Sequence, residues 1–432
     1  MTSDLTSYDV IGVGFGPSNL SLAIALDEAV GRRGGSFRAR FLDRQDRFAW
    51  HSGMLLPGSD MQISFLKDLV LLRDPGSRFT FLNYLHIKGR LEAFINQKTF
   101  YPSRLEFNDY LCWAASHFAD QVSYGEEVVA VEPEDKRGTV SRLVVRSRDA
   151  SGRERTRLAG NLVLAIGGRP NIPDVFERLG RNHRVFHSSS YLTDINALGL
   201  ADHPATRVAV IGGGQSAAEI ALDLHKRFSD IGIDMIARGF ALRPSDNTPF
   251  ANEIFNPGHT DFIYRQAPSV RDSIIGEFRN TNYAVVDADL IQTLYAILYE
   301  QKIAGEKRLA IMGLREIEQA DAAGPKVALS IRDNASGTVG RAHYSAVILA
   351  TGYKRDNGGG LLDAVRGYIH ETKLERDYRL PAPPEFRPAI FLQGYSESTH
   401  GLSDTLLSVL AIRAQEIASS LLAAADAQQS AA

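Results

Sequence analysis

Twice along the chain a short apolar run rich in Val and Ile meets a cluster of glycines and gives way to apolar residues at helical spacing. The first occurrence runs from Tyr8 to Leu26 and the second from Arg207 to Leu222. An apolar run of about four to eight residues bounded by turn residues predicts a buried strand, and the periodicity after it predicts a helix. Each segment therefore predicts the opening βα turn of a Rossmann unit. The glycines, Gly14 and Gly16 before Pro17 in one and Gly212 and Gly214 before Ser216 in the other, let the backbone pass close to a pyrophosphate. That anion would sit on the unpaired N–H groups of the helix N-terminus. Two such motifs, each set between a strand and a helix, predict two bound dinucleotides. The competing reading is a pair of tight turns in a ligand-free α/β sheet.

The strand that follows each unit names the dinucleotide. Phe37 to Asp43 ends in an acid, suited to accept from a free ribose 2′-hydroxyl, which predicts FAD. Ile233 to Arg238 ends in a base, suited to a 2′-phosphate, which predicts NADPH. Leu162 to Gly168 and Ala346 to Tyr353 read as buried parallel strands turning beside a cofactor at Thr351 and Gly352, the second returning the chain to the first domain. The fold class predicted is α/β: two Rossmann-like domains, for FAD and NADPH, with a small mainly helical substrate-binding region. The expected division is an FAD domain over 1–190 and 344–432, with an NADPH insert over 191–343 that carries substrate-binding elements near 245–300. The Ala- and Gln-rich tail from Leu421 to Ala432 reads as a frayed helix end.

Composition narrows the function. Hydrophobic residues make up 44% of 432, and 48 basic against 51 acidic residues leave a net charge of −3, so partners are expected to be small molecules, with no nucleic acid and no membrane. No apolar stretch is seen to approach the roughly 18 residues of a spanning helix, and Met1 to Ser7 lack a positive leader. The reading is of a cytoplasmic protein with no metal site. The single cysteine, Cys112, excludes the paired redox cysteines of a disulfide reductase and reads as a buried bystander thiol.

The first fingerprint carries Asn19 where a third glycine is usual. Together with Phe48 to Met54, Met61 to Leu69, Asp246 to Pro257, Asn280 to Tyr283, Ala350 to Tyr353 and His400 to Val409, it resembles the microbial N-hydroxylating flavoprotein monooxygenases of siderophore biosynthesis, most closely the L-ornithine N5-monooxygenases. The resemblance runs in order from about residue 8 to 413. It implies that NADPH reduces FAD, that O₂ adds to give a C4a-hydroperoxyflavin, and that the side-chain amine of L-ornithine attacks it to give a hydroxylamine. It implies Gln62 beside the flavin, with Trp50 and His51 packed near the FAD. Arg104, Ser216 and Arg238 fall on cofactor positions. Lys67, Asn252 and Asn282 fall on positions that hold the amino acid, and Leu406 and Ser408 on positions near its amine. Gln62, Asn282 and Ser408 are the expected catalytic set. A homo-oligomer, dimer or tetramer, is also implied.

Other readings stay open at this point. L-Lysine, putrescine or cadaverine differ from ornithine by a methylene or a carboxylate. Another two-dinucleotide flavin monooxygenase is the runner-up, although the Phe-x-Gly-x-x-x-His stretch of the Baeyer–Villiger type is not evident. A module that senses FAD and NADPH without turnover is the alternative from a different class.

Overall fold

The computed structural model describes residues 5–135, 138–180, 182–200, 206–355, 358, 360–369 and 374–430. Two sheets dominate it, one mixed and one parallel. The first strand, Ser7–Val13, pairs in parallel with Ala39–Asp43 on one side and with Glu154–Leu164 on the other. Val10 and Ile11 are fully buried because both faces of this strand are covered. Glu154–Leu164 then forks. Its first half pairs antiparallel with Leu143–Asp149, and Leu162 to Leu164 pair in parallel with Ile390–Leu392. This seven-stranded sheet carries the helix Pro17–Arg33, in which Leu20, Leu22, Ile24 and Leu26 are all buried. Leu20→Ala there would cost on the order of 2–5 kcal/mol.

The second sheet has five parallel strands, ordered Leu309–Met312, Gly232–Ile236, Arg207–Ile211, Ala346–Leu349 and Val185–His187. Two expectations are corrected here. The strand at Ala346 does not return the chain to the first domain; it sits between Arg207–Ile211 and Val185–His187 in the second sheet. The return is made by Ile390–Leu392. The insert therefore extends beyond 191–343 at both ends, to Val185 and Leu349, because the sheet recruits one flanking strand from each side. A three-stranded antiparallel sheet, Arg315–Ala323, Lys326–Asp333 and Val339–Tyr344, packs beside it.

The region from Pro249 to Thr281 is a run of short helices, as the expected helical substrate region requires. The expected frayed end, Leu421 to Ala432, falls partly outside the described residues, but the C-terminal helix Leu410–Ser430 is seated in the core where Ala418 and Leu421 are fully buried and Leu422 nearly so. It packs against Pro17–Arg33. The expectation that no apolar stretch reaches spanning length is also corrected: Leu407–Asp426 has the length and hydropathy to cross a membrane, and 56% of it is buried inside the fold. Its apolarity serves the core, where Arg413 is held by Asp404 in a fully buried ion pair.

Candidate active site

The two glycine turns place two helix N-termini at the ends of parallel strands. Gly14 has φ +82°, and a Cβ there would lie 2.6 Å from the Ala165 carbonyl oxygen. Gly212 has φ +151°, and a Cβ would lie 2.4 Å from the Ala350 carbonyl oxygen. These two are fixed by the chain itself. Gly16 is different: a Cβ there meets nothing within 4 Å, and at Gly214 it makes only ordinary contacts. Both are the N-caps of long helices, Pro17–Arg33 and Gln215–Arg227, with no side-chain cap and no acid in the first turn. Uncapped N–H donors at the positive end of a helix fit a dinucleotide pyrophosphate, and at Gly16 they stand beside open space.

The side chains around each turn fit one nucleotide apiece. Asp43 is buried and accepts from the Phe15 N–H at 2.6 Å and the Gln45 N–H at 2.8 Å. It braces the first loop and keeps lone pairs for a ribose hydroxyl. Asn19 is fully buried. Its amide donates to the Gly14 carbonyl at 2.6 Å and accepts from Gln393 at 2.9 Å, so it shapes the loop from behind. Ser216 lies half-buried in the first turn of the second helix. Arg238 is exposed just beyond Gly232–Ile236, with no ion pair or side-chain hydrogen bond to the described residues. Thr351 and Gly352 are engaged within the fold. The Thr351 hydroxyl donates to Asn171 O at 2.5 Å, and Gly352 O lies 2.9 Å from His187 Nε2.

Arg104 departs most from its expected role. Ser103 caps the helix Arg104–Ser116 by accepting from the Glu106 N–H. This directs Arg104 into the second unit, where its guanidinium donates to both oxygens of Glu219 at 2.8 and 2.6 Å. The pair is nearly buried, with side-chain exposures of 12% and 7%. Its fork is spent on protein, so Arg104 joins the two nucleotide-binding units.

Trp50 and His51 lie together, ring centroids 4.8 Å apart, and the His51 ring is edge-on to Tyr353 at 6.3 Å. His51 takes a left-handed backbone with φ 49°. Its side chain is solvent-accessible yet surrounded by protein. Desolvation, reinforced by Arg104 and Arg355, pushes its pKa down to about 4, so the ring is neutral at working pH. Gln62, also exposed, donates to Asp287 at 3.2 Å.

A second group converges on the loop after His400. Tyr283, which follows Asn282, donates to Glu397 and lies 3.4 Å from the Thr405 hydroxyl. Burial and the Glu397 hydrogen bond push its phenol up to about 12. Arg355 donates to Gly394 O at 2.9 Å and reaches Thr405 O. The short helix Glu253–Phe255, which follows Asn252, packs on Leu402–Thr405. Three elements bearing Asn252, Asn282 and the pair Leu406 and Ser408 thus meet. The Asn252 amide donates to Asn247 O at 3.1 Å, and Ser408 is buried.

Lys67 is flanked by apolar residues of the first unit's core. Phe65, Leu69 and Val70 belong to one apolar cluster with Trp50 and Leu407. Asp68 pins the segment by accepting from the N–H groups of Val70, Leu71 and Phe81. The Lys67 ammonium is half-buried and has no ion-pair partner among the described residues; burial lowers its pKa. No hydrogen bond joins it to Asn252 or Asn282. Cys112 is half-buried, with its thiol pKa raised by burial, as a bystander's should be. Sequence reading missed Gln215, Glu219, Asp287, Tyr353, Arg355 and Glu397, although Gln215, Glu219 and Tyr353 stand inside motifs it had singled out.

The chain matches the family described as L-lysine 6-monooxygenase/L-ornithine 5-monooxygenase over residues 6–355. It is 47% identical over 420 residues to an L-ornithine N(5)-monooxygenase of Pseudomonas aeruginosa, covering 97% of this chain and 95% of that relative. The fold aligns with the ornithine hydroxylase PvdA from Pseudomonas aeruginosa at TM-score 0.93 and 47% identity, covering 97% and 100% of the two chains. It aligns with the Kutzneria sp. 744 ornithine N-hydroxylase, as KtzI-FADred-NADP+-L-orn, at TM-score 0.90 and 38% identity, covering 96% and 99%. With two uncapped glycine turns and this similarity along nearly its whole length, the chain belongs to the L-lysine 6-monooxygenase/L-ornithine 5-monooxygenase family.

Proposed function

We propose that this enzyme hydroxylates the side-chain amine of L-ornithine, using FAD, NADPH and O₂, and so supplies a hydroxamate precursor for a siderophore or related natural product. The observation that carries the reading is the pair of uncapped glycine-loop helices, one braced by Asp43 and the other followed by Arg238, which has no ion-pair partner among the described residues. Similarity to ornithine hydroxylases supports the substrate. Bound FAD, reduced by NADPH, supplies the oxygen-activating chemistry.

The protein's part is binding, orientation and exclusion of water. The first helix, with Gly14, Gly16 and Pro17, would hold the FAD pyrophosphate, and Asp43 its ribose. Gly212, Gly214 and Ser216 would hold NADPH, with Arg238 on the 2′-phosphate. Trp50 and His51 would wall the flavin, and a neutral His51 adds no charge there. Lys67 would take the substrate carboxylate, which answers its lack of a protein anion. Such a contact at about 4 Å gains on the order of 4 kcal/mol at an effective dielectric near 20, whereas a diamine would bring a second cation and lose a similar amount. Asn252 and Asn282 would bond the head group without adding charge. Leu406 and Ser408 would fix the distal amine, and Gln62 would face the reacting oxygen.

The reading includes action in the cytoplasm, and self-association as a dimer or tetramer, which light-scattering mass would test. The deciding experiment is a product assay across ornithine, lysine, putrescine and cadaverine. Hydroxylated ornithine should dominate. Peroxide release without hydroxylated product from any of the four would overturn the function.

A further inference from the structure

Asp287 stands at the N-cap of the helix Ala288–Ala304, where an aspartate ordinarily accepts from the second or third N–H of its own helix. Here it makes no such bond. One carboxylate oxygen accepts from Gln62 Nε2 at 3.2 Å and the other from Gln215 Nε2 at 2.8 Å. The Asp287 N–H donates back to Gln215 Oε1 at 2.8 Å. Gln215 Nε2 also donates to Glu219 at 2.9 Å, and Glu219 holds Arg104. The result is one continuous chain from Arg104 through Glu219, Gln215 and Asp287 to Gln62.

A carboxylate can only accept, so both amides must turn their nitrogens toward Asp287. Gln215 has every bond accounted for and cannot flip. Gln62, tethered to Asp287 through one N–H, cannot turn its amide over without losing that bond, so Oε1 stays on the side away from Asp287, with the second N–H also free. We propose that Asp287 is a positioning residue that fixes the orientation of the Gln62 amide, so that Gln62 offers an acceptor to a hydroxyl or N–H of the bound nucleotides or reacting group. This rests on the reading of Gln62 as the flavin-side amide. Gln215 is the first residue of the helix after the second glycine turn, so the loop assigned to NADPH and the Gln62 amide share one hydrogen-bond chain.

Asp287→Ser tests this directly, because serine restores an ordinary helix cap while releasing Gln62. The melting temperature should stay level or rise. The yield of hydroxylated ornithine per NADPH consumed should fall about fivefold, as for loss of one hydrogen bond. The NADP⁺ dissociation constant, measured by calorimetry, should change by no more than about twofold. In a Gln62→Ala background, Asp287→Ser should add no further loss. Asp287→Asn, which keeps the shape and removes one acceptor, should repeat the pattern should the serine variant fold poorly. A full additional loss on top of Gln62→Ala would overturn the proposal and leave the role of Gln62 standing. An unchanged yield in Gln62→Ala alone would overturn the role of Gln62, and this proposal with it.

Discussion

Removing Arg104 separates two accounts of that residue, one as a ligand to a nucleotide and one as a clamp between the two nucleotide-binding units. Arg104→Ala deletes two charge-assisted bonds, at 2.8 and 2.6 Å, and leaves Glu219 at 7% side-chain exposure with only the Gln215 amide as partner. Breaking a buried pair from one side costs about 3–5 kcal/mol, chiefly because the remaining charge stays desolvated. The Gln215 bond offsets part of this, which puts the loss near the lower end, about 3 kcal/mol. Thermal unfolding followed by circular dichroism should show a fall of several degrees. Glu219→Gln should do nearly the same damage, since it strands the guanidinium instead. Arg104→Met combined with Glu219→Leu should recover most of the loss, because neither charge is then buried alone. A clamp predicts this non-additive pattern. The account fails if Arg104→Ala melts like the parent while the NADPH KM rises, and Glu219→Gln leaves that KM unchanged.

Three further outcomes follow from the site. Arg238→Ala should raise the NADPH KM about tenfold or more and leave NADH nearly untouched, since a charge-assisted phosphate contact is roughly twice as strong as a neutral hydrogen bond; equal losses with both cofactors would remove the 2′-phosphate assignment. Lys67→Ala should weaken ornithine binding by about two orders of magnitude, the worth of a partly screened 4 Å ion pair, while NADPH-driven flavin bleaching proceeds; loss of FAD instead would place Lys67 elsewhere. Buried His400 has its pKa pushed down to about 4 by burial. Its neutral form is the one the fold accepts, so its contribution is whole above about pH 6.5 and is lost as pH falls toward 4, by up to about 3 kcal/mol. Melting temperatures measured across that window should decline, and His400→Gln should flatten the decline.

What was legible in the sequence was local. Each strand–glycine–helix turn lies within about thirty residues of the charged residue that follows it, Gly14 of Asp43 in the first unit and Gly212 of Arg238 in the second. Sheet membership was not. The apolar run Ala346–Leu349 suits any parallel sheet, and its neighbours, Arg207–Ile211 and Val185–His187, are chosen by packing across long separations. The same holds for the site. Lys67 announced itself as a cation among apolar neighbours, and it is half-buried without an anion. Arg104 was set at a cofactor by the resemblance, and no local pattern could show that its partner Glu219 lies 115 residues away. Asp287 carried no signal in the sequence, because its role depends on a carboxylate turned from its own helix to two distant glutamines.

The asparagine in the first glycine fingerprint follows the same logic of relocation. A third glycine in such a turn normally lets helix and strand approach closely. Here that close approach has moved to Gly12, where a Cβ would lie 3.0 Å from the Asn19 amide nitrogen and 2.3 Å from the Phe41 ring. Asn19 can then afford a side chain, and it uses both ends of it. Its nitrogen holds the Gly14 carbonyl, fixing the left-handed turn at Gly14, and its oxygen accepts from Gln393, at a sequence separation of 374. Gln393 follows directly on the returning strand Ile390–Leu392, and its N–H donates to Leu164 O. One buried amide pair therefore ties the cofactor turn to the returning strand of its sheet. A third glycine would give the same clearance and lose that tie.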